Sequence, residues 1–164
     1  MRIASLLIFA LGCTALVSAQ IGDRDPFGGE KHNQVVTLTA PVVAYVPTGK
    51  TATVELRFRV QKGLHINSHA PHDHNLIPTG VTLAPTAGVQ VVDWEYPQGV
   101  DFALALQPNY KLSVYTGEFA VRLRVKVTAA GRQTIPATLR YQACDSNACM
   151  PPRNMPFTVE ISAK

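Results

Sequence analysis

The amino-acid sequence predicts an all-β protein, an immunoglobulin-like antiparallel β-sandwich. Three observations carry that prediction. Apolar residues alternate with polar ones in several separate stretches, Pro and Gly punctuate the intervals between them, and no segment beyond the amino terminus shows a helical period.

The clearest stretch starts at Thr51. Val54, Leu56, Phe58 and Val60 share one face while Glu55, Arg57, Arg59 and Gln61 share the other, the period-two pattern of a half-buried strand. Phe119, Val121, Leu123, Val125 and Val127 repeat it against Glu118, Arg122, Arg124 and Lys126, and Phe157, Val159 and Ile161 repeat it against Thr158, Glu160 and Ser162. Shorter candidates lie at Val35 to Thr39, Gly80 to Ala84, Val89 to Trp94 and Thr134 to Gln142, bounded by Pro78, Gly88, Pro97 and Gly131. Seven or more short strands, each with one apolar face, favour two sheets packed face to face. With no cysteine in an early strand, an inter-sheet disulfide is not expected. Trp94 and Tyr96 read as sheet packing.

The first nineteen residues are set apart. Arg2 gives a positive start, Ile3 to Leu16 are apolar, and Val17-Ser18-Ala19 ends in small residues, the pattern of a signal peptide cleaved near Ala19. Cys13 follows Leu11-Gly12 as a lipoprotein cysteine would, but Ala10 stands where such sites usually carry leucine, so cleavage is preferred to lipid anchoring. Residues 20–33 read as a flexible lead-in and 34–164 as a single domain, since 164 residues with 46% hydrophobic and 16% charged content suffice for one core. No second apolar run approaches the ~20 residues of a membrane helix. The expected location is periplasmic or secreted, where disulfides form and persist. The net charge of +4 is scattered, which gives no footprint for nucleic acid.

Removal of Cys13 leaves Cys144 and Cys149, in the stretch RYQACDSNACMPPR, as the only thiols. In the strand from Thr134, Leu139 and Tyr141 take one parity and Gln142 and Cys144 the other, which predicts Cys144 on the accessible, non-core side. Residues five apart can face each other across a four-residue hairpin loop, and Asp145, Ser146 and Asn147 suit its turn. As a staple the pair would close only a short loop, worth on the order of 2 kcal/mol against about 4.7 for a 100-residue loop. A redox-active pair, a structural disulfide and a metal site all remain open on these grounds. A functional pair needs a reachable thiolate.

Four histidines, His65, His69, His72 and His74, fall within HINSHAPHDH. With Cys144, Cys149 and Met150 they define the alternative, a periplasmic zinc- or copper-binding module. Spacings of four, three and two match no regular site, which favours a solvated, proline-broken loop. His65 has a separate candidate role, as an imidazolium lowering a cysteine pKa. Pro151-Pro152 either frame Cys149 or end a strand. A plain binding module with a tied hairpin is a third reading. No phosphate loop, Ser/His/Asp set or carboxylate pair suggests hydrolase or kinase chemistry.

YQACDSNACMPP, preceded by KGLHINSHAPHDHNLIPTGVTL, by EYPQGV and by SVYTGEF, resembles the amino-terminal domain of the DsbD family of thiol:disulfide interchange proteins, from about Val35 to Ile161. The resemblance implies a periplasmic immunoglobulin-like domain that takes electrons from a thioredoxin-like donor and passes them to periplasmic client proteins through transient mixed disulfides, as a protein-disulfide reductase without a small-molecule cofactor. It implies that Cys149 forms the mixed disulfide and Cys144 resolves it, with an aromatic cap over the pair. Phe102, just after YPQGV, is the first candidate cap and Tyr110 the second; His65, Asn67 and Tyr141 are candidate supporting residues. Enterobacterial members have one more residue between the cysteines and tyrosines where HIN stands. No membrane or thioredoxin domain follows in this sequence, so the reductant is expected in trans.

Overall fold

The computed structural model describes residues 34–164 except 41, 105 and 106; the expected leader with Cys13 and the lead-in lie outside the described residues. Twelve strands occur among the described residues: β1 (Val36–Leu38), β2 (Val42–Val46), β3 (Thr51–Val60), β4 (His65–Asn67), β5 (Gly80–Leu83), β6 (Val89–Glu95), β7 (Val100–Leu104), β8 (Gln107–Tyr115), β9 (Glu118–Val127), β10 (Gly131–Tyr141), β11 (Ala143–Cys144) and β12 (Arg153–Ala163). They form three four-stranded sheets, ordered β1-β3-β9-β6, β2-β12-β10-β5 and β11-β4-β8-β7.

The first two sheets make the sandwich. Alternation delivers Val54, Leu56, Phe58 and Val60 of β3 and Phe119 to Val127 of β9 into one core, where they meet Ile135, Ala137 and Leu139 of β10 and Val159 and Ile161 of β12. Phe58 joins the layers: its ring lies 5.3 Å from Phe119 in its own sheet and 5.6 Å, edge-on, from Phe157 in the opposite one. Ile66, Tyr115 and Ala143 extend the core into the third sheet.

Periodicity and its Pro and Gly punctuation located the longest strands and also β1, β5 and β6, and missed β2, β4, β7, β8 and β11. Val42–Val46 pairs in parallel with β12, the exception among the otherwise antiparallel ladders of the described residues. Its apolar residues fall on both faces, with Val43 and Tyr45 exposed, so it lacks clean alternation. HIN is a strand rather than loop, and the region from Val100 to Tyr115 folds into a pair of strands. The β7–β8 register shifts between Ala103 and Leu104, while bulged β6 shifts against β9 between Val91 and Asp93.

The segment EYPQGV is pinned to the third sheet. Tyr115 Oη donates to Pro97 O at 2.9 Å, and Ser68 and Ser113 share a hydroxyl hydrogen bond of 2.8 Å beneath Gly99. A Cβ at position 99 would stand 2.2 Å from Ser113 Oγ, so only glycine permits this approach.

Candidate functional site

Strand β10 runs beside β12 as far as Tyr141, opposite Arg153, and then the chain changes sheets. Ala143 and Cys144 pair instead with Ile66 and His65 of β4. This switch overturns the expected accessibility of Cys144. Parity counted along one strand puts Cys144 opposite the core, but Tyr141, Ala143 and Cys144 are all buried because the count restarts at Gln142. Cys144 is 1% exposed, whereas Cys149 is exposed.

The two cysteines form a disulfide, with Cα atoms 3.9 Å apart across an isolated antiparallel bridge. Asp145 shapes the intervening turn. Its Oδ1 accepts from the backbone N–H groups of Asn147 at 2.7 Å and Ala148 at 2.8 Å, while its own N–H donates to Ala148 O at 3.0 Å. These donors hold the Asp145 carboxyl below its ordinary pKa. Met150 N–H closes the base of the loop on Ala143 O at 2.8 Å.

Gln142, which was not among the candidate residues, ties the loop to the rest of the domain. Its Oε1 accepts from Asn67 Nδ2 at 3.1 Å and from Ile77 N at 3.3 Å, and its Nε2 donates to Met150 O at 3.3 Å. Asn67, fully buried, also donates through Nδ2 to Ile77 O at 3.0 Å. One glutamine thereby links the HIN strand, the LIP segment and the cysteine loop. The signal was present in the YQ-x-C block, but a glutamine in a sequence gives no hint of three partners.

His65 stands directly across the ladder from Cys144 and is 2% exposed. Its ring lies 4.2 Å from that of Phe102, and its Nε2 has no hydrogen-bond partner. Burial pushes its pKa below the ordinary histidine value, and the Asp145 carboxylate opposes that shift. The ring is therefore neutral at pH 7 in the disulfide form, not the imidazolium the sequence suggests.

A pH dependence follows. Because the folded pKa lies below the unfolded one, the unfolded chain binds more protons just below pH ~6.5, so this contribution to stability is complete above that pH and is lost as pH falls toward the folded pKa. Denaturant midpoints of the oxidised protein are expected to drop between pH 7.5 and 5.5, and the drop is expected to shrink in His65→Phe. An equal drop in that variant would assign it to other groups.

The remaining candidates are dispersed. Tyr110, in β8, donates its hydroxyl to Asp73 Oδ2 at 2.5 Å and so braces the histidine loop. Tyr141 is buried in the core, with its hydroxyl against the Val36 backbone. His69 stacks on Tyr96 at 3.6 Å and hydrogen-bonds Thr79 O at 2.9 Å; His72 Nδ1 lies 3.2 Å from Lys111 O. Met150 packs against the core. Among the described residues, no three His, Cys, Asp or Glu side chains converge as a metal set would, so His69, His72 and His74 do not form one.

An all-β sandwich that holds one exposed and one buried cysteine in a single short loop at the seam of two sheets defines a class of disulfide-bearing module. The family model for the amino-terminal region of the thiol:disulfide interchange protein DsbD matches residues 33–161, and the chain belongs to that family. This is the family whose motifs the sequence resembles. Comparison with curated proteins gave no match.

Among solved structures, the chain is similar to the DsbD n-terminal domain of Neisseria meningitidis in its reduced form, at 17% identity over 76% of this chain and 81% of that one, with a TM-score of 0.46. The N-terminal periplasmic domain of ScsB from Proteus mirabilis is 16% identical over 71% of this chain and 42% of that one, TM-score 0.48. A complex between the DsbD N-terminal and PilB N-terminal domains from Neisseria meningitidis gives 18% identity over 65% and 73%, TM-score 0.43.

Proposed function

We propose that this protein is a periplasmic thiol:disulfide exchange module that relays electrons to client proteins through Cys144 and Cys149, and that a thioredoxin-like protein reduces it. The unequal exposure of the two cysteines carries this reading. In the reduced state the exposed Cys149 attacks a client disulfide as a thiolate, joining its sulfur to one client sulfur and releasing the other. Cys144, buried beside it, then attacks Cys149, closing the internal disulfide and releasing the client dithiol. The thioredoxin-like donor reverses the internal step by supplying two electrons as a dithiol. Family membership and the leader-like amino terminus support the periplasmic setting.

The test is entrapment. Cys144→Ser leaves Cys149 without its resolving partner, so mixed disulfides with clients are expected to accumulate in periplasmic extracts and to vanish with reductant. If none accumulates, the electron-relay reading is wrong.

Phe102 is the cap in this reading. It is half-buried on β7 with its ring on His65, whereas Tyr110 is engaged by Asp73. Phe102→Ala is expected to speed oxidation of the reduced pair by glutathione disulfide several-fold. An unchanged rate would remove Phe102 from that role.

A further inference from the structure

We propose that His65 is the proton acceptor for Cys144, taking the thiol proton at Nε2 as Cys144 resolves the mixed disulfide on Cys149. The inference rests on the exchange reading above and assigns the base for its second step.

The need arises from burial. An exposed thiol can lose its proton to water, but Cys144 is 1% exposed, and a thiol in apolar surroundings is held in its protonated, unreactive form. A base inside the structure must accept that proton. His65 is the residue directly opposite Cys144 in the antiparallel β4–β11 ladder, and directly opposed residues project side chains to the same face. Its Nε2 is buried and without a hydrogen-bond partner in the disulfide state, in which Cys144 has no proton to donate. An orphaned ring nitrogen inside a fold carries a desolvation cost that a reduced Cys144 would relieve by donating to it.

The surroundings suit a base. Phe102 covers the ring at 4.2 Å, and burial favours the neutral form that can accept a proton. Asp145, next to Cys144, supplies a carboxylate that stabilises the imidazolium once the proton has moved. The other charged groups near this face are Lys62, Arg59 and Glu118, which with His65 and Phe102 border a surface cleft. Arg59 and Glu118 neutralise each other as an ion pair. Asp145 is therefore the anion that couples to the ring.

The step balances. The Cys144 S–H bond breaks and its proton goes to Nε2; the thiolate forms a bond to Cys149 Sγ; the bond from Cys149 to the client sulfur breaks, and that sulfur leaves as a thiolate. The two cysteines lose two electrons and the client disulfide gains them.

Stopped-flow oxidation of the reduced protein by 5,5′-dithiobis(2-nitrobenzoate) separates the steps, since attack by Cys149 releases one coloured thiolate and resolution by Cys144 a second. In the unsubstituted protein the second phase is expected to level off above the pKa of His65. In His65→Gln the second phase is expected to slow ~100-fold, the lower end of what a positioned base contributes, and to rise with hydroxide concentration across the pH range, with the first phase little changed. Asp145→Asn keeps an oxygen for the turn and removes the charge, so it provides an independent reading should His65→Gln fold poorly. Its second-phase inflection is expected to move to lower pH. A second phase with the same rate and pH profile in both variants overturns the assignment of His65. A protein with no second phase before any substitution overturns the exchange reading itself, and the proposal with it.

Discussion

Cys149→Ser is expected to reduce reaction with disulfide substrates to the buffer background while leaving the sandwich folded. The attacking group must be a thiolate that an incoming disulfide can reach along the axis of its own S–S bond, and of the two cysteines only Cys149 is exposed. Cys144 lies beneath the loop and cannot substitute for it. Cys144→Ser is expected to behave differently, retaining a single attack per molecule and failing to turn over. Thiol quantification after exposure to a disulfide substrate distinguishes the two, with none consumed in the first variant and one in the second. Equal reactivity of the two single variants would contradict the assignment of roles. Loss of the crosslink from either variant is expected to cost about 2 kcal/mol or less, because the closed loop spans only residues 144 to 149.

Phe58→Ala is expected to destabilise the domain by ~3–5 kcal/mol, the range for removing a buried phenylalanine. Phe58 is 0% exposed and holds both layers together through Phe119 and Phe157. Against a typical total of about 5–15 kcal/mol, that loss brings the fold close to its limit. Tyr45→Ala, at a side chain 75% exposed on β2, serves as the control and is expected to move the denaturant midpoint little. A midpoint in Phe58→Ala within experimental scatter of the parent would show that the two sheets pack more plastically than their geometry implies.

The long strands were readable because β3, β9 and β12 each alternate for ten or eleven residues, and burial on one face writes that alternation into the chain. The third sheet was not. HIN is only three residues long and buried at all three positions, with polar His65 and Asn67 themselves inside, so its polarity does not mark an exposed face from which a strand can be read. The cysteine loop was expected as a hairpin with an Asx-type turn, and Asp145 makes that turn. The burial of Cys144 escaped notice because parity holds only within one ladder, and the chain leaves its ladder at Gln142. Gln142 and the unpartnered Nε2 of His65 depend on contacts between segments far apart in sequence, which no local pattern encodes.

The short span of the disulfide has a consequence for its energetics. Folding and reduction form a thermodynamic cycle, so whatever the crosslink adds to the stability of the fold, the fold returns as resistance of the crosslink to reduction. A contribution of about 2 kcal/mol corresponds, for a two-electron couple, to about 40 mV. Chain connectivity can therefore lower the potential of the pair only slightly relative to the same peptide unfolded. Larger departures must come from groups that favour one oxidation state over the other, such as His65 and the Asp145 turn. The weak coupling also works in the other direction: the domain can pass through repeated cycles of oxidation and reduction without the sandwich registering them as a large change in its own stability.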